Sequence, residues 1–336
     1  MNGRDTLQRP TESGNDGFLP CRAQVQRGVA LILVLWFIVL LGVLALGLSK
    51  MSRNNALIAR QLSGVTQARQ LAEGGVQLAW ANLLMASEEE RLLGDGEAFA
   101  LSFEQGKVEL ILRNESGKID INQASEALLV RLFEGHGLPL EQSEALAGAI
   151  ADWRDKDDLV RLHGAEDEDY LAAGLAYGAA DSAFTSVSEL HKVLGMNENI
   201  YRQIEADVTI YSKNPGVVAK VAPLSVLLAI SDLERSTLQH YVDERRRTHR
   251  AGLPLPPVPL IEQDFVADEE GAVFSLSALA TTDQGSVGGQ SVVFELLENA
   301  GKTRIKRLTS QPYALLSNDQ QGNGRTEKLN MRVEEK

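Results

Sequence analysis

Cysteine and aromatic residues are scarce in this sequence. Its 336 residues include one cysteine, Cys21, and only 5% are Phe, Trp or Tyr. A single cysteine excludes an intramolecular disulfide, and the five histidines are too scattered to suggest a zinc site. We therefore expect a core of Leu, Val, Ala and Ile, held together by packing rather than by cross-links.

Basic residues are outnumbered by acidic residues, 33 to 46, which gives a formal net charge of -13. The first 28 residues hold four arginines and three acidic residues (+1), so the remainder of the chain carries -14. A body this acidic repels nucleic acid and suits divalent cations or basic partners. Ordinary solubility explains the same charge equally well.

Sequence signatures of common enzyme classes are also missing. The chain has no G-x-S-x-G, no H-E-x-x-H and no glycine-rich phosphate loop. The acidic cluster at 152–170 is packed too densely into one local loop to suggest the cleft of a glycoside hydrolase. We predict that the protein is not an enzyme.

One long apolar run is present near the N-terminus. Residues Val29 to Leu48 contain no charge, and as a helix they span about 30 Å, the thickness of a bilayer core. An ordinary secretory signal would be shorter and would end in an A-x-A-like site, whereas Ser49-Lys50 follows here. Residues 29–48 therefore predict a transmembrane helix, either a plain anchor or a retained prepilin-type segment. Basic residues flank both ends, so charge does not decide the orientation.

The helical period continues beyond the membrane segment, and no proline occurs between Val29 and Met85. We predict one helix throughout this range, whose outer half packs on the protein's own sheet or forms a coiled-coil stalk. The small residues of the stripe favour the sheet. The stripe comprises Ile58, Leu62, Val65, Ala68, Ala72, Val76, Ala79 and Leu83.

The middle of the chain is predicted to be helical between strands. Alternation predicts a strand at 107–113, and Ser125 is a candidate N-cap. Further helices are predicted at 141–153, after Ser186 or Ser188, and at 201–207, with an extended piece at 208–211. A faint repeat aligns Ile121 with Val221, and both copies resemble helix-hairpin-helix elements. Gly135-His136-Gly137 would be the hairpin if the protein were a membrane-anchored DNA receptor of the competence type.

The C-terminal part is predicted to be an antiparallel sheet. A proline-rich linker at 253–259 is followed by strand-like runs at 273–277, 291–297 and 303–308. Gly285 to Gly289 is a predicted turn.

A dense acidic segment runs from Asp152 to Tyr170. Calcium prefers six to eight oxygen ligands from a flexible loop, and Asp155 and Asp157 are spaced to face one point. Glu166 and Asp167 would close such a site from the far end. The spacing is not that of an EF-hand, and the residues alone favour a solvated acidic loop without metal.

Two motifs resemble those of a known family, the K-subunit minor pseudopilins of type II secretion systems. The first is similar to a prepilin cleavage site between Gly28 and Val29, with Arg27 before it, and it has Leu33 where most pilin-like proteins carry Glu. The second resembles the family pattern W-x-D-x-D, a loop, then G-A-E-D-x-x-Y. It is matched by Trp153, Asp155, Asp157, Gly164, Ala165, Glu166, Asp167 and Tyr170.

The resemblance implies an α+β, pilin-like fold. A long N-terminal transmembrane helix would pack on an antiparallel sheet that carries a large inserted all-α domain with helix-hairpin-helix-like elements. The implied parts are a leader at 1–28, a transmembrane helix at 29–48, its periplasmic continuation at 49–87, the first part of a pilin-like domain at 88–116, the inserted domain at 117–250, the remaining strands at 251–317 and a disordered tail at 318–336.

The resemblance also implies a role at the tip of the pseudopilus, where the subunit starts or caps assembly so that folded proteins are exported across the outer membrane. The implied partners are the I and J minor pseudopilins, the H and major pseudopilins, the prepilin peptidase and the inner membrane, with the large C-terminal part in the periplasm. Calcium would be held by Asp155, Asp157, Glu166 and Asp167. The alternatives are the DNA receptor and a type IV pilus minor pilin, which would be expected to keep the Glu and a C-terminal disulfide.

Overall fold

The computed structural model describes residues 27–85, 91–299, 302–313 and 327–328. The predicted leader therefore lies outside the described residues, apart from Arg27 and Gly28. The predicted tail also lies outside them, apart from Glu327–Lys328.

The first element is one helix, α1, over Arg27–Met85, which confirms the continuous helix predicted from the sequence. It is the one helix of the described residues that is long and apolar enough to cross a membrane. The chain divides into two compact units, Met1–Arg60 and Gln61–Lys336, so α1 contributes to both.

Within the second unit, the small residues of α1 cover one face of a sheet. Ala68, Ala72 and Val76 are fully buried, and they share a hydrophobic core with Val108 and Leu276. Alanine at this spacing lets the helix backbone approach the strands closely. The predicted apolar stripe from Ala68 to Leu83 therefore packs on the protein's own sheet, and not in a coiled-coil stalk.

A six-stranded sheet has the order β7-β6-β5-β2-β1-β8. Neighbouring strands are antiparallel, except that β1 and β8 are parallel. The strands are β1 (Asp95–Phe103), β2 (Gly106–Asn114), β5 (Val273–Thr282), β6 (Val287–Asn299), β7 (Lys302–Pro312) and β8 (Glu327–Lys328).

The predicted turn at Gly285 to Gly289 is too long. The strand β6 already begins at Val287, so Gly288 lies within the sheet. A Cβ atom on Gly288 would lie 3.0 Å from the backbone oxygen of Val65 in α1. This glycine therefore serves helix–sheet contact, and the sequence pattern alone did not distinguish that use from a turn.

The helical segment lies between β2 and β5, which are hydrogen-bonded neighbours in the sheet. It has its own hydrophobic core, which includes Leu128, Ile150, Tyr170 and Leu227. Its helices are α2 (Glu126–Gly135), α3 (Leu140–Arg154), α4 (Asp167–Ala172), α5 (Glu198–Ile204), α6 (Leu224–Ile230) and α7 (Arg235–Arg250), and a small parallel pair joins β3 (Ile119–Asp120) to β4 (Val208–Thr209). The α+β pilin-like fold class is confirmed.

Local capping explains which helix boundaries were predicted correctly. The Oγ atom of Ser125 accepts a hydrogen bond from the Leu128 amide at 3.2 Å, so it caps α2 as predicted. The helix predicted at 201–207 instead runs over Glu198–Ile204, because the Asn197 side chain accepts from the Ile200 amide at 3.0 Å. Ser186 precedes a short 3-10 helix, Val187–Lys192, without a side-chain cap.

The faint repeat corresponds to two helix hairpins, α2–α3 and α6–α7. In the first, Arg154 donates to the carbonyls of Ile121 and Ala124, which precede α2. In the second, Arg245 donates to the carbonyls of Ala219 and Ala222, which precede α6, at 3.0 and 3.1 Å. Ile121 therefore corresponds to Ala219, and the sequence alignment with Val221 was wrong by two residues.

Candidate functional site

The acidic segment begins at the end of α3 and runs to the first turn of α4. Asp152 lies in the last turn of α3, and Asp155 is the residue that directly follows the helix and has extended backbone. The loop that follows turns back at His163, whose φ of 68° is unusual for a residue with a side chain.

Arg161 contacts both aspartates at the C-terminal end of α3. Its Nη1 atom lies 2.7 Å from Oδ1 of Asp152, whose side chain is fully buried, and it also pairs with Asp155. The Arg161 amide donates to the other Asp152 oxygen at 3.2 Å. Hydrogen bonds to Asp155 and Asp152 raise the pKa of Arg161, which therefore stays charged.

Gly164 brings the loop backbone against the Asp152 carboxylate. A Cβ atom on Gly164 would lie 1.9 Å from Oδ2 of Asp152, which is closer than any side chain can approach. The close approach to Asp152 therefore explains why the G-A-E-D motif has glycine at this position.

Glu166 is an acidic side chain without a complete set of partners. It is 5% exposed, and its Oε1 atom is buried without a hydrogen bond to any described residue. The Oδ1 atom of Asp155 is in the same situation. Burial raises the pKa of Glu166 to about 7, and the charges of Asp152, Asp155, Asp181 and Asp158 add to this effect. These carboxylates therefore repel one another at neutral pH.

Asp157 and Asp167 have local structural roles. The Oδ1 atom of Asp157 accepts from the Leu159 amide at 3.1 Å, which is a turn contact. The Oδ1 atom of Asp167 accepts from the Ala179 amide at 3.1 Å. Both side chains are exposed.

Of the four predicted ligands, Asp155 and Glu166 thus interact electrostatically. The charges of Asp152 and Asp181, which were not predicted ligands, also act on Glu166. No three His, Cys, Asp or Glu side chains in the described part of the chain are arranged to hold a metal ion. Asp152 had a sequence signal, since it lies in the same acidic segment three residues before Asp155, at the C-terminal end of α3. Asp181, with a φ of 48°, lies in an irregular segment and had none.

An aromatic cluster packs around the two ends of the acidic segment. The ring of Trp153 stacks on Phe184 at 6.1 Å between centroids and lies 5.9 Å from the ring of Tyr170. The Tyr170 hydroxyl accepts from the Leu194 amide at 3.1 Å. The first and last residues of the family pattern thus fix both ends of the loop.

The pKa of Glu166 predicts a pH dependence of stability in the absence of metal. Because the folded pKa is raised, Glu166 favours folding below pH 4.5, and this contribution is lost as the pH rises through about 7. We expect Glu166→Gln, measured in EDTA, to stabilise the protein by on the order of 1 kcal/mol at pH 8 and to have little effect at pH 4.5. Thermal unfolding across this range checks the prediction, and equal effects at both pH values would contradict it.

The proposed DNA-binding hairpin does not offer free amides. The Gly137 amide donates to the carbonyl of Glu134 at 2.8 Å, and the Leu138 amide donates to that of Phe133 at 3.1 Å, so both close the C-terminus of α2. Nε2 of His136 lies 3.0 Å from Oδ2 of Asp207, which places a carboxylate beside the hairpin. Phosphate binding is disfavoured by both features.

Comparison with known proteins points in one direction. The family model for type II secretion system protein K matches residues 107–213. The type II secretion system protein K of Pseudomonas aeruginosa is 30% identical over 247 residues, which cover 66% of this chain and 73% of the relative. The corresponding protein of Klebsiella pneumoniae is 30% identical over 203 residues, covering 53% of this chain and 61% of the relative.

The fold comparison agrees. A chain in the crystal structure of the GspK-GspI-GspJ complex of the enterotoxigenic Escherichia coli type 2 secretion system matches with a TM-score of 0.52 and 18% identity. The match covers 78% of this chain and 99% of that chain, so the two share a fold over nearly all of the solved structure. The chain belongs to the type II secretion system protein K family.

Proposed function

We propose that the protein is a non-enzymatic minor pseudopilin that acts at the tip of a type II secretion pseudopilus and helps to export folded proteins across the outer membrane. The relationship to protein K, over most of both chains, carries this proposal. In the proposed arrangement, residues 29–48 anchor the protein in the inner membrane, and the large C-terminal part lies in the periplasm. The prepilin peptidase removes the leader between Gly28 and Val29.

The membrane segment supports the place at the tip. Its fifth residue after the proposed cleavage site is Leu33, and the side chain is 62% exposed on α1. A carboxylate in a bilayer is costly unless it is paired. A subunit with no neighbour above it offers no partner for such a carboxylate, and an apolar residue at this position avoids that cost.

We propose the I and J minor pseudopilins as direct partners, with the H and major pseudopilins below them. The solved chain that matches this fold belongs to a complex of GspK, GspI and GspJ, which supports this choice. Co-expression of this chain with the I and J subunits of the same organism should give a complex that contains all three in equal amounts. An unrelated type IV minor pilin is the control for non-specific helix association. A K chain that elutes alone in every combination would overturn the proposal.

We also propose that the acidic segment binds calcium. The residues fit a hard cation because two buried carboxylate oxygens, Oδ1 of Asp155 and Oε1 of Glu166, lack a described hydrogen-bond donor. Asp152 adds a buried carboxylate, so the proposed site uses Asp155, Glu166 and Asp152; ligation by Asp157 and Asp167, which the sequence motif suggests, is the alternative that paired substitutions test. When bound, a dication would neutralise the repulsion among these groups and hold the loop against α3.

Paired substitutions test which carboxylates serve calcium. Chelation of the wild-type full chain in detergent should lower its melting temperature, since calcium at a hundred times its Kd stabilises by about 2.7 kcal/mol. We expect this shift to vanish in Asp155→Asn/Glu166→Gln. It should persist in Asp157→Asn/Asp167→Asn, which removes the same charge from side chains that cap local turns. An unchanged wild-type melting curve would contradict the calcium proposal.

A further inference from the structure

Arg161 is a partly exposed side chain, 38% accessible, that contacts the end of α3 from a loop of exposed residues. The side chains on either side of it are apolar and largely exposed, with Val160 55% and Leu162 81% accessible. The guanidinium of Arg161 instead reaches back to the end of α3. The loop thus leaves apolar side chains in solvent while it holds one cation against two carboxylates.

The Arg161 guanidinium supplies a positive charge beside Asp152 and Asp155. Asp152 is fully buried, and a buried carboxylate requires a positive partner. Arg161 supplies it for Asp152 and Asp155 by side-chain contact, and its amide donates to the remaining Asp152 oxygen. The guanidinium and the amide of Arg161 therefore supply donors to both oxygens of Asp152 and to one oxygen of Asp155 from within the chain.

The pairing is incomplete toward the rest of the cluster. Oδ1 of Asp155 and Oε1 of Glu166 are buried without a described partner, although Arg161 contacts the other Asp155 oxygen. The charges of Asp152, Asp155, Asp181 and Asp158 all act on Glu166, and they are opposed by the charge of Arg161 and by that of Arg154, which also interacts with Asp155. The cluster therefore retains an excess of negative charge that a second or a stronger cation would relieve.

We propose that Arg161 is a built-in counter-ion that competes with calcium for Asp152 and Asp155. This inference rests on the proposed calcium site. With Arg161 in place, the loop is held against α3 in the absence of metal. A dication at Asp155 repels the Arg161 guanidinium that contacts the same carboxylate, so the arginine lowers the apparent calcium affinity and sets the concentration at which the loop changes its contacts.

Two variants, each lacking one positive charge of the loop, distinguish direct competition between arginine and calcium from a general change in the charge of the loop. Arg161→Gln removes the paired cation. Lys156→Gln removes an exposed cation from the same loop that forms no ion pair within the described part of the chain. Calorimetric titration of calcium chloride into the chelator-treated full chain in detergent measures each affinity. We expect Arg161→Gln to bind calcium at least tenfold more tightly than Lys156→Gln.

Unfolding in EDTA gives a second readout. We expect Arg161→Gln to melt below the wild type, because Asp152 loses its buried partner, whereas Lys156→Gln should melt close to it. If Arg161→Gln does not fold, Arg161→Lys keeps the charge but replaces the guanidinium whose Nη1 contacts both aspartates, and its calcium affinity should then exceed that of the wild type.

The outcomes distinguish this inference from the calcium proposal. If Arg161→Gln binds calcium no more tightly than Lys156→Gln does, the competition is overturned and the calcium proposal remains. Absence of calcium binding in the wild type and in both variants overturns the two proposals together.

Discussion

Replacing Arg245 with alanine is expected to lower the free energy of unfolding by about 3–5 kcal/mol. The Arg245 side chain is fully buried, and its Nη2 atom lies 2.8 Å from Oδ2 of Asp95, which is itself 1% exposed. The same guanidinium donates to the carbonyls of Ala219 and Ala222. Its removal would leave a buried carboxylate and two buried carbonyls without that donor, and it would weaken the contact between α7 and the first strand of the sheet.

Arg246 offers a matched control for this prediction. It also donates to Oδ2 of Asp95 at 2.8 Å, but its side chain is 24% exposed and water can replace it. We expect Arg246→Ala to cost about 1 kcal/mol. Urea unfolding of both variants measures the difference, and equal costs would contradict the importance of the buried pair.

The Arg245–Asp95 pair also predicts acid sensitivity. Burial by itself would raise the pKa of Asp95, but Arg245 and Arg246 outweigh it, so the pKa is held below its ordinary value. The pair therefore stabilises the protein above the ordinary aspartate pKa of about 3.9, and this contribution is lost as the pH falls further. In Arg245→Ala the corresponding loss should be smaller.

Replacing Gly28 with leucine is expected to abolish secretion through the type II pathway. In the proposed processing step, glycine lets the backbone enter the peptidase without a side-chain clash, and leucine would block it. The uncleaved chain would keep its charged leader at the cytoplasmic membrane face, where the N-terminus of the mature helix is needed. We expect the precursor to accumulate and exoprotein export to fall to the level of a strain that lacks the protein.

Gly42→Leu is the control for a glycine change in the same helix. A Cβ atom on Gly42 would meet no atom within 4 Å in the structure, so the substitution leaves α1 intact. Immunoblots should show normal processing for Gly42→Leu and a slower-migrating band for Gly28→Leu. Normal processing and export in Gly28→Leu would contradict the proposed cleavage site.

The elements that the sequence predicted well are those with a regular local pattern. The alanine-rich stripe of α1 repeats every three or four residues, and the strand β2 alternates, with Val108, Leu110 and Leu112 buried. The strand β1 was not predicted, because its Asp-Gly-Glu start and its partly buried middle show no clear alternation. Its place in the sheet comes from pairing with β2 and not from its own sequence.

Long-range contacts limited the prediction of the site. The acidic motif names Asp155 and Glu166, which lie in one cluster, but Asp181 lies in a later loop that no pattern connects to them. Asp157 and Asp167 match the motif, yet the fold uses them in local turns. The buried pair of Asp95 and Arg245 was also not predicted, since 150 positions separate the partners and each alone resembles an ordinary surface charge.

The most direct test of the pseudopilin assignment is the N-terminus of the mature protein. Mass spectrometry of membranes from strains with and without the prepilin peptidase would identify it. The assignment predicts a chain that begins at Val29 in the presence of the peptidase and retains Met1 in its absence. A chain that retains Met1 in both strains would contradict the pseudopilin assignment and would leave residues 29–48 as a plain membrane anchor.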